Sequence, residues 1–426
     1  MSQASTPRFA EKRETILDGA ARLFNRRGIK AGTLSEVAAS VGLATNSLTY
    51  YYRKKEDLIC ACLMRSIDAA RRVIDEAALT GDLAARVRAL FTGYGRLMAD
   101  VAEGRHPELI FFGDMRALPQ PQAEPVFAAY VEMFRALRRL VRDPAHPAPA
   151  GDEAQARRWI NARTHVVQSQ LLWMRAWLHR FESSDHVRVS AALADLLLHG
   201  LARPGTTWPG DAELRAWPAV HPCHRHPQAD GESAEAQGQR EAYLRTATRL
   251  INDHGVGGAS VERIAATLAL TKGSFYHHHD TKHTLVDDCF ERSLALIRGA
   301  QLAAMGDAQA GQGGWQRLLA GTVPLVQLHG SVQGPLLRLT AWTELPGALR
   351  WQKFNTMNQL AERYSAMLVA AMADGSMPLV DPAVGAQLIC GMLNGLAEID
   401  HWVAPGGAQS LSALYARPVM LGLLAP

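Results

Sequence analysis

The chain has 426 residues, which at roughly 150 residues per domain suggests two to four domains. Nearly half of the residues are hydrophobic, and the formal net charge of +4 neither requires nor excludes a polyanionic partner. Five scattered cysteines without a CxxC pair indicate a reduced protein that has no disulfide framework. The polar N-terminus and the lack of a long apolar run argue against a signal peptide and a membrane span, so we expect a cytoplasmic protein.

Apolar residues recur along the chain at the spacing of amphipathic helices. Ile16, Leu17, Ala20, Leu23 and Phe24, for example, fall on one face of a helix. The alternating pattern that would indicate strands is nearly absent. The sequence therefore predicts an all-α protein.

A segment rich in proline, glycine and polar residues interrupts the helical pattern between residues 203 and 238. This composition is typical of a linker. Beyond it, residues 240–285 align with residues 13–58 at a constant offset of 227, with 14 identities and no gap. The sequence therefore contains an internal duplication, and the linker joins the two copies.

Each copy begins with the pattern of three short helices. Gly28 and Gly255 suit the left-handed residue that ends the first helix, and Thr33 and Ser260 suit the N-cap of the second. Thr33 and Glu36 also have the spacing of a capping box. A tight turn and a third helix follow, which predicts a helix-turn-helix whose last helix fits the major groove of DNA.

The third helix of each copy has polar side chains that can bind base edges and phosphates, and a lysine follows it. In the first copy the candidates for DNA contact are Thr33, Thr45, Asn46, Ser47, Thr49, Tyr50, Tyr51 and Lys55. In the second copy they are Ser260, Thr271, Lys272, Gly273, Ser274, Tyr276, His277, His278 and Lys282.

The stretches "GLATNSLTYYYRKKEDL" and "ALTKGSFYHHHDTKHTL" resemble the recognition region of TetR-type transcriptional regulators. The first departs from the family pattern at Thr49, where the family usually has tyrosine. The resemblance implies that Tyr52 and His279 turn inward while Tyr50 and His277 face DNA. It also implies two tandem units, each with a helix-turn-helix domain followed by a helical regulatory bundle. We expect DNA-binding domains at 8–60 and 239–287, bundles at 61–202 and 288–426, and the linker at 203–238.

The histidine triplet of the second copy adds an expectation about pH. If His277 or His278 is cationic when it meets a phosphate, affinity for the operator should weaken between about pH 6 and pH 8.

The resemblance implies that the bundles bind a small-molecule effector and pair through their C-terminal helices. Effector pockets are mostly apolar with a few polar groups, although aromatic and methionine side chains at helical spacing also form ordinary cores. The candidate ligand-binding residues are Phe111, Phe112, Met115, His165, Gln168, Trp173, Trp177, Trp342, Met357 and Asn394. The helices expected to pair are 159–180 and 187–201 in one copy and 383–399 and 411–424 in the other.

One chain with two DNA-binding domains can place both on one double-stranded operator, as single-copy relatives do by forming homodimers. Because the recognition helices differ, an intramolecular pseudo-dimer should bind two unlike half-sites. A flexible linker of this length would span roughly 30–36 Å, enough to join the units. The alternatives are a homodimer of such chains on a longer operator, or a helical protein-binding scaffold without DNA activity.

A metal site and an enzyme are the remaining alternatives. His221, Cys223, His224 and His226 are ligand-type residues, but a zinc site needs four fixed ligands at defined spacing, and these lie between prolines in the linker. The sequence contains no GxSxG, P-loop, HExxH or GxGxxG motif in a suitable context. We therefore expect no metal, no cofactor and no enzymatic activity.

Overall fold

The structure, a computed structural model, describes residues 7–29, 32–112, 115–215, 217, 234–267, 281–306, 311–404 and 410–425. Within these ranges the chain forms helices and no strands, which confirms the all-α prediction. The first unit comprises α1 (Pro7–Arg27), α2 (Leu34–Ser40), α3 (Thr45–Tyr51), α4 (Lys55–Ala77), α5 (Leu83–Ala102), α6 (Ala123–Val141), α7 (Glu153–Trp177) and α8 (His186–His199). The short α9 (Asp211–Arg215) follows.

The second unit repeats this order with more interruptions. It comprises α10 (Ala234–Gly258), α11 (Val261–Thr267), α12 (Lys282–Met305), α13 (Gly314–Ala320), α14 (Val323–His329), α15 (Gly347–Ala373), α16 (Pro382–Leu396), α17 (Ile399–Trp402) and α18 (Arg417–Met420). Two 3-10 segments, Met115–Ala117 and Leu339–Glu344, precede α6 and α15, and a π-helical segment, Ser412–Ala416, precedes α18.

The helix ends follow from local sequence. Gly28 and Gly255 have φ angles of 80° and 71°, in the left-handed region that glycine adopts without steric cost. Thr33 Oγ1 accepts a hydrogen bond from the Glu36 backbone N–H at 3.2 Å, and the Glu36 carboxylate accepts one from Thr33 N–H at 3.0 Å. Ser260 caps α11 in the same way through its own hydroxyl, 3.2 Å from the backbone nitrogen three residues on. Both predicted N-caps are therefore present.

The N-terminal three-helix domain packs around apolar residues from all three of its helices. Ile16 and Leu17 on α1, Val37 on α2 and Leu48 on α3 are at most 2% exposed, and Leu58 on α4 closes the same core. Burying each such side chain stabilises the fold by roughly 1.5–3 kcal/mol. Because Leu48 points inward, the polar residues before it on α3 face solvent.

The two bundles pack against each other. Helix α7 lies on α16, where Gln170 Nε2 donates a hydrogen bond to the Leu388 carbonyl at 2.9 Å. The backbone of residues 197–202 also exchanges four hydrogen bonds of 2.8–3.1 Å with residues 420–424. The helical segments that the sequence predicts to pair thus meet within one chain.

One part of the predicted linker, around α9, packs on the second unit. Leu214 in α9 is completely buried, and Asp211 accepts a hydrogen bond from the Ser410 hydroxyl at 2.7 Å. At the other end, α10 begins at Ala234, five residues before the expected start of the second unit at 239. Composition suggested one flexible segment, but Leu214 gives the short helix an apolar residue to bury.

Candidate DNA-binding surface and the cavity between the units

Helix α3 presents a polar surface to solvent. Thr45, Asn46 and Ser47 are exposed, and the Thr45 hydroxyl lies 3.3 Å from the hydroxyl of Ser35 on α2. Thr49 is half-buried and its hydroxyl donates to the Asn46 carbonyl at 2.9 Å, so it is less available to DNA than predicted. The exposed face can still offer donors and acceptors to base edges, as a recognition helix requires.

The three tyrosines at the end of α3 have three different environments. Tyr52 is 6% exposed, and Arg13 Nε donates a hydrogen bond to its hydroxyl at 2.9 Å. Burial raises the pKa of Tyr52, so the phenol stays neutral. Tyr51 is half-buried and stacks on Phe9 with ring centroids 4.8 Å apart, whereas Tyr50 is 76% exposed. Tyr52 therefore turns inward and Tyr50 faces outward, as the resemblance implies.

The two lysines predicted to meet phosphates make intramolecular bonds. Lys55 Nζ donates to the Gly32 carbonyl at 2.9 Å, and Lys282 Nζ donates to the Gly257 carbonyl at 3.3 Å. Gly32 lies in the connection between α1 and α2, and Gly257 lies in the last residues of α10, beyond the kink at Gly255. The lysines therefore fix the backbone just before the second helix of each unit, a task that sequence reasoning missed because the partner is a backbone atom 23 or 25 positions away.

In the second copy, only the edges of the predicted DNA-binding surface lie within the described residues. Thr33 and Ser260 occupy equivalent N-cap positions, and Lys282 begins α12. The other predicted contacts of the second copy lie outside the described residues: Thr271, Lys272, Gly273, Ser274, Tyr276, His277 and His278. The same holds for His279 and for the ligand-type residues His221, Cys223, His224 and His226.

In each unit the N-terminal helical domain is joined to its bundle by the two hydrogen bonds of one asparagine amide, which we call the amide clamp. Asn25 Nδ2 donates to the Leu109 carbonyl at 2.8 Å, and Asn25 Oδ1 accepts from Phe111 N–H at 3.1 Å. In the second unit Asn252 makes the equivalent bonds, also of 2.8 and 3.1 Å, to Leu336 and Arg338. Both clamps hold the segment that leads into the 3-10 turn before α6 or α15.

These clamped segments form part of the wall of a cavity of about 70 Å³ between the two units. Five of the predicted ligand-binding residues line this cavity: Phe111, Phe112, His165, Gln168 and Asn394. Further lining residues come from both units: Tyr130, Ser169, Leu172, Arg175, Arg338, Thr340, Thr343, Gly395 and Glu398. Sequence reasoning placed one pocket in each bundle, whereas the packing of α7 on α16 brings both bundles to one cavity.

The other predicted ligand-binding residues lie elsewhere. Trp173, Trp177 and Met357 line a second cavity of only about 20 Å³, also between the units. Met115 is 2% exposed in the core, and the Trp342 ring packs on Phe354 with centroids 5.3 Å apart. Their spacing is equally typical of core residues, which is the role the structure gives to Met115.

The polar side chains in the cavity of about 70 Å³ are buried and only partly hydrogen-bonded. His165 is 2% exposed, and its Nε2 lies 2.8 Å from the Gly395 carbonyl, which can only accept. Nε2 must therefore carry the proton, which leaves Nδ1 as an acceptor without a hydrogen-bond partner. Burial lowers the pKa of His165, so the ring is neutral at pH 7. The amide of the buried Gln168 lies beside His165 and interacts with it, but neither of its polar atoms has a partner at the distance and angle of an ordinary hydrogen bond.

The family comparison agrees with this architecture. Residues 16–62 and again residues 244–289 match the family described as bacterial regulatory proteins of the tetR family. The chain therefore contains two TetR-type domains in tandem. It is 38% identical over 58 residues to the tetracycline repressor protein class C of Escherichia coli, a match that covers 14% of this chain and 26% of that protein.

Two further similar proteins each match about half of the chain. The HTH-type transcriptional repressor KstR2 of Rhodococcus jostii is 23% identical over 205 residues, covering 47% of this chain and 98% of that protein. The crystal structure of the TetR-family regulator PfmR from Thermus thermophilus is 19% identical, with a TM-score of 0.36, and covers 47% of this chain and 100% of that one.

In the described part of the chain no helix has the length and apolar character needed to cross a membrane. No group of three or more histidine, cysteine, aspartate or glutamate side chains lies together in these ranges as a metal site would require. The four described cysteines, Cys60, Cys62, Cys289 and Cys390, are free thiols.

Proposed function

We propose that this TetR-type transcriptional regulator is a ligand-responsive repressor that acts by binding operator DNA in the cytoplasm, not by catalysis. The observation that carries the proposal is the exposed polar face of α3, where Thr45, Asn46, Ser47 and Tyr50 lie next to a buried Leu48. A helix anchored on one side and polar on the other fits the major groove. Two of the similar proteins are repressors by name.

We further propose that one chain is a pseudo-dimer with two unlike half-sites. The contacts of α7 with α16 support the pseudo-dimer. Trp173 Nε1 donates a hydrogen bond to Gln387 Oε1 at 3.0 Å, and His165 Nε2 donates one to the Gly395 carbonyl at 2.8 Å. These are buried polar groups that would lose their partners if the units separated. The two half-sites should differ because the sequences at the recognition positions of the two copies differ, "TNSLTYY" in the first and "KGSFYHH" in the second.

The effector site that we propose is the cavity shared by the units. Its bare acceptor at His165 Nδ1 and the amide of Gln168 call for a ligand that offers a hydrogen-bond donor, such as a hydroxyl or an amide N–H. Phe111 and Tyr130 would contact an apolar or aromatic part. At about 70 Å³ the cavity holds only two or three waters at about 30 Å³ each. A larger effector must therefore widen it, which would move its walls.

The amide clamps give such a movement a route to both DNA-binding domains. Phe111 and Arg338 line the cavity, and their backbone N–H groups are the ones that Asn25 and Asn252 hold. Displacing either segment would therefore pull on α1 or α10. A ligand that favours a different spacing of the two domains would lower affinity for the operator.

The test is footprinting of genomic fragments from around the gene, together with the native mass of the complex. We expect one chain to protect two adjacent half-sites of different sequence. A perfect palindrome with one chain per half-site would contradict the pseudo-dimer, and two chains on a longer site would support a dimer of such chains. Absence of sequence-dependent binding to every fragment would contradict the DNA-binding function itself.

A further inference from the structure

The first bundle has an open cleft of about 550 Å³ where the end of α6, the connecting segment and the start of α7 meet. This volume falls within the roughly 300–1,000 Å³ that is usual for small-molecule sites. Gln122, just before α6, bonds to Asp57 at the start of α4. The cleft lies toward the opposite end of α6, where its nearest lining residue, Arg135, is about 20 Å from Gln122 at about 1.5 Å per residue, and it is therefore remote from the DNA-binding surface.

Arginines dominate the lining of the cleft. The lining cations are Arg135, Arg138, Arg142 and Arg157, and the lining carboxylates are Asp143 and Glu153. Glu153 already pairs with Arg157 at 2.7 Å, and Asp143 with His146 at 2.9 Å. Arg135 is paired with Glu132 on its own helix. The carboxylates near the cleft therefore already have side-chain partners.

Two guanidinium groups remain without an acidic partner. Arg138 donates to the neutral side-chain oxygen of Asn161 at 3.2 Å, and no carboxylate of the described residues is in ion-pair contact with Arg138 or Arg142. Burial lowers the pKa of Arg138, and repulsion by Arg142, Arg135 and Arg157 adds to the effect. Such a cluster is stabilised when an anion enters.

The second unit shows that the fold does not need these arginines. At the offset of 227, Arg138 and Arg142 correspond to Ser365 and Val369, and Arg135 corresponds to Glu362. Val369 is 49% exposed, so an uncharged side chain is tolerated at this position of the bundle surface. The basic cleft is therefore a property of the first unit alone and not a requirement of bundle packing.

We propose that this cleft binds a small anion with at least two phosphoryl groups, of the nucleotide class. Arg135 and Arg138 lie about one turn apart on α6, and Arg142 is the residue that follows its last turn. The three span about 10 Å along the direction of the helix, which matches a chain of phosphates better than a single carboxylate. Guanidinium groups bind phosphate oxygens in a bidentate manner. The half-buried indole of Trp159 gives the cleft an aromatic wall for the remainder of the ligand.

The experiment measures binding of inorganic pyrophosphate and of ATP to the full chain by calorimetry at fixed ionic strength. The variant Arg138→Ser/Arg142→Val introduces the residues of the second unit at the same positions. The charge-matched control is Arg72→Ser/Arg96→Ser, which removes two exposed arginines that do not line the cleft. A third variant, Arg138→Lys/Arg142→Lys, keeps the charge and removes the bidentate geometry.

We expect saturable binding of both probes by one site per chain, weakened about tenfold or more by Arg138→Ser/Arg142→Val and by less than about twofold in the control. The lysine variant should fall between them. No saturable binding of either probe would overturn the proposal, as would an equal loss in the control. Displacement of pyrophosphate by a short DNA duplex of unrelated sequence would also overturn it, because the cleft would then be a nucleic-acid surface. Binding here does not depend on operator binding, so the two proposals fail separately.

Discussion

At the scale of single residues, the tyrosine run Tyr50–Tyr52 shows how adjacent identical side chains acquire different tasks. Successive residues on a helix point about 100° apart. One phenol is therefore buried beside Arg13, one stacks on Phe9 at the edge, and one projects into solvent. The three tyrosines therefore provide one buried side chain that anchors the end of α3, one half-buried side chain that packs on Phe9, and one exposed side chain.

Substitution should separate the anchor from the exposed contact. Tyr50→Ala should change the free energy of unfolding by no more than about 0.5 kcal/mol, because the side chain is 76% exposed, yet weaken operator binding. Tyr52→Ala should cost about 3–5 kcal/mol, as truncation of a buried aromatic does. Urea unfolding and gel shifts would measure both effects. If the Tyr50→Ala variant bound the operator as tightly as the wild type does, a DNA contact of Tyr50 would be ruled out.

His329 predicts a loss of stability on acidification. Burial, with a smaller contribution from Arg249, lowers the pKa of His329 from 6.5 to about 4, and its Nδ1 accepts a hydrogen bond from Leu336 N–H at 3.3 Å. The unfolded chain then binds more protons than the folded one between those values. Stability is therefore complete above about pH 6.5 and falls as the pH decreases toward 4. From pH 7 to pH 5 the loss should be about 2 kcal/mol.

The control for this pH effect is His329→Gln, which keeps an acceptor and cannot titrate. Urea unfolding at pH 5 and pH 7 should show a smaller pH dependence in the variant than in the wild type, since other buried histidines remain. Equal slopes in the two proteins would show that His329 is not the source.

At the scale of elements, the decisive connections are the clamps between the first helix of each unit and the segment before the next 3-10 turn. Each asparagine uses both ends of its amide on one backbone segment. A carboxylate in its place could accept a hydrogen bond but could not donate one, and an alanine could neither donate nor accept. The same geometry in both units, with bonds of 2.8 and 3.1 Å, indicates a constraint that the duplication preserved.

Asn25→Ala should loosen this connection in the first unit only. Loss of the amide leaves the Leu109 carbonyl and the Phe111 N–H without their partner, at a cost of roughly 1–3 kcal/mol. Hydrogen exchange should become faster in residues 109–112 and at the end of α1. The matched variant Asn252→Ala should do the same around Leu336 and α10. Unchanged exchange rates at both clamps would show that the bonds do not couple the domains to the bundles.

Features set by local chemistry could be predicted from the sequence. The glycine that ends α1, the Thr33 capping box and the amphipathic stripe of α1 depend on residues a few positions apart. The shared cavity depends on contacts such as that of His165 with Gly395, 230 positions away, and no local pattern encodes that distance. Chemistry alone identified His165 and Asn394 as candidates, but it could not show that they face one cavity.

At the scale of the whole molecule, the two units are related but not equivalent. Helix α7 is continuous over 25 residues, whereas its counterpart is divided into α16 and α17. The 3-10 turn of each unit also contacts the first helix of the other, so Met115–Ala117 lies on α10 and Leu339–Glu344 on α1. Each N-terminal helical domain is thus held by its own bundle and contacted by the opposite one, so we expect a movement in one unit to affect both domains.

This crossed arrangement predicts that the units stay together when the chain is cut. A protease site inserted between residues 225 and 226 should give two fragments that co-elute on size exclusion. Separation would replace the buried hydrogen bonds of Gln170 and Trp173 by bonds to water, each at a net cost of roughly 0.5–1.5 kcal/mol. In Gly391→Leu the new side chain would collide with Gln170 across the interface. The cut chain of that variant should come apart, whereas separation of the cut wild type would mean that the connecting segment alone holds the units together.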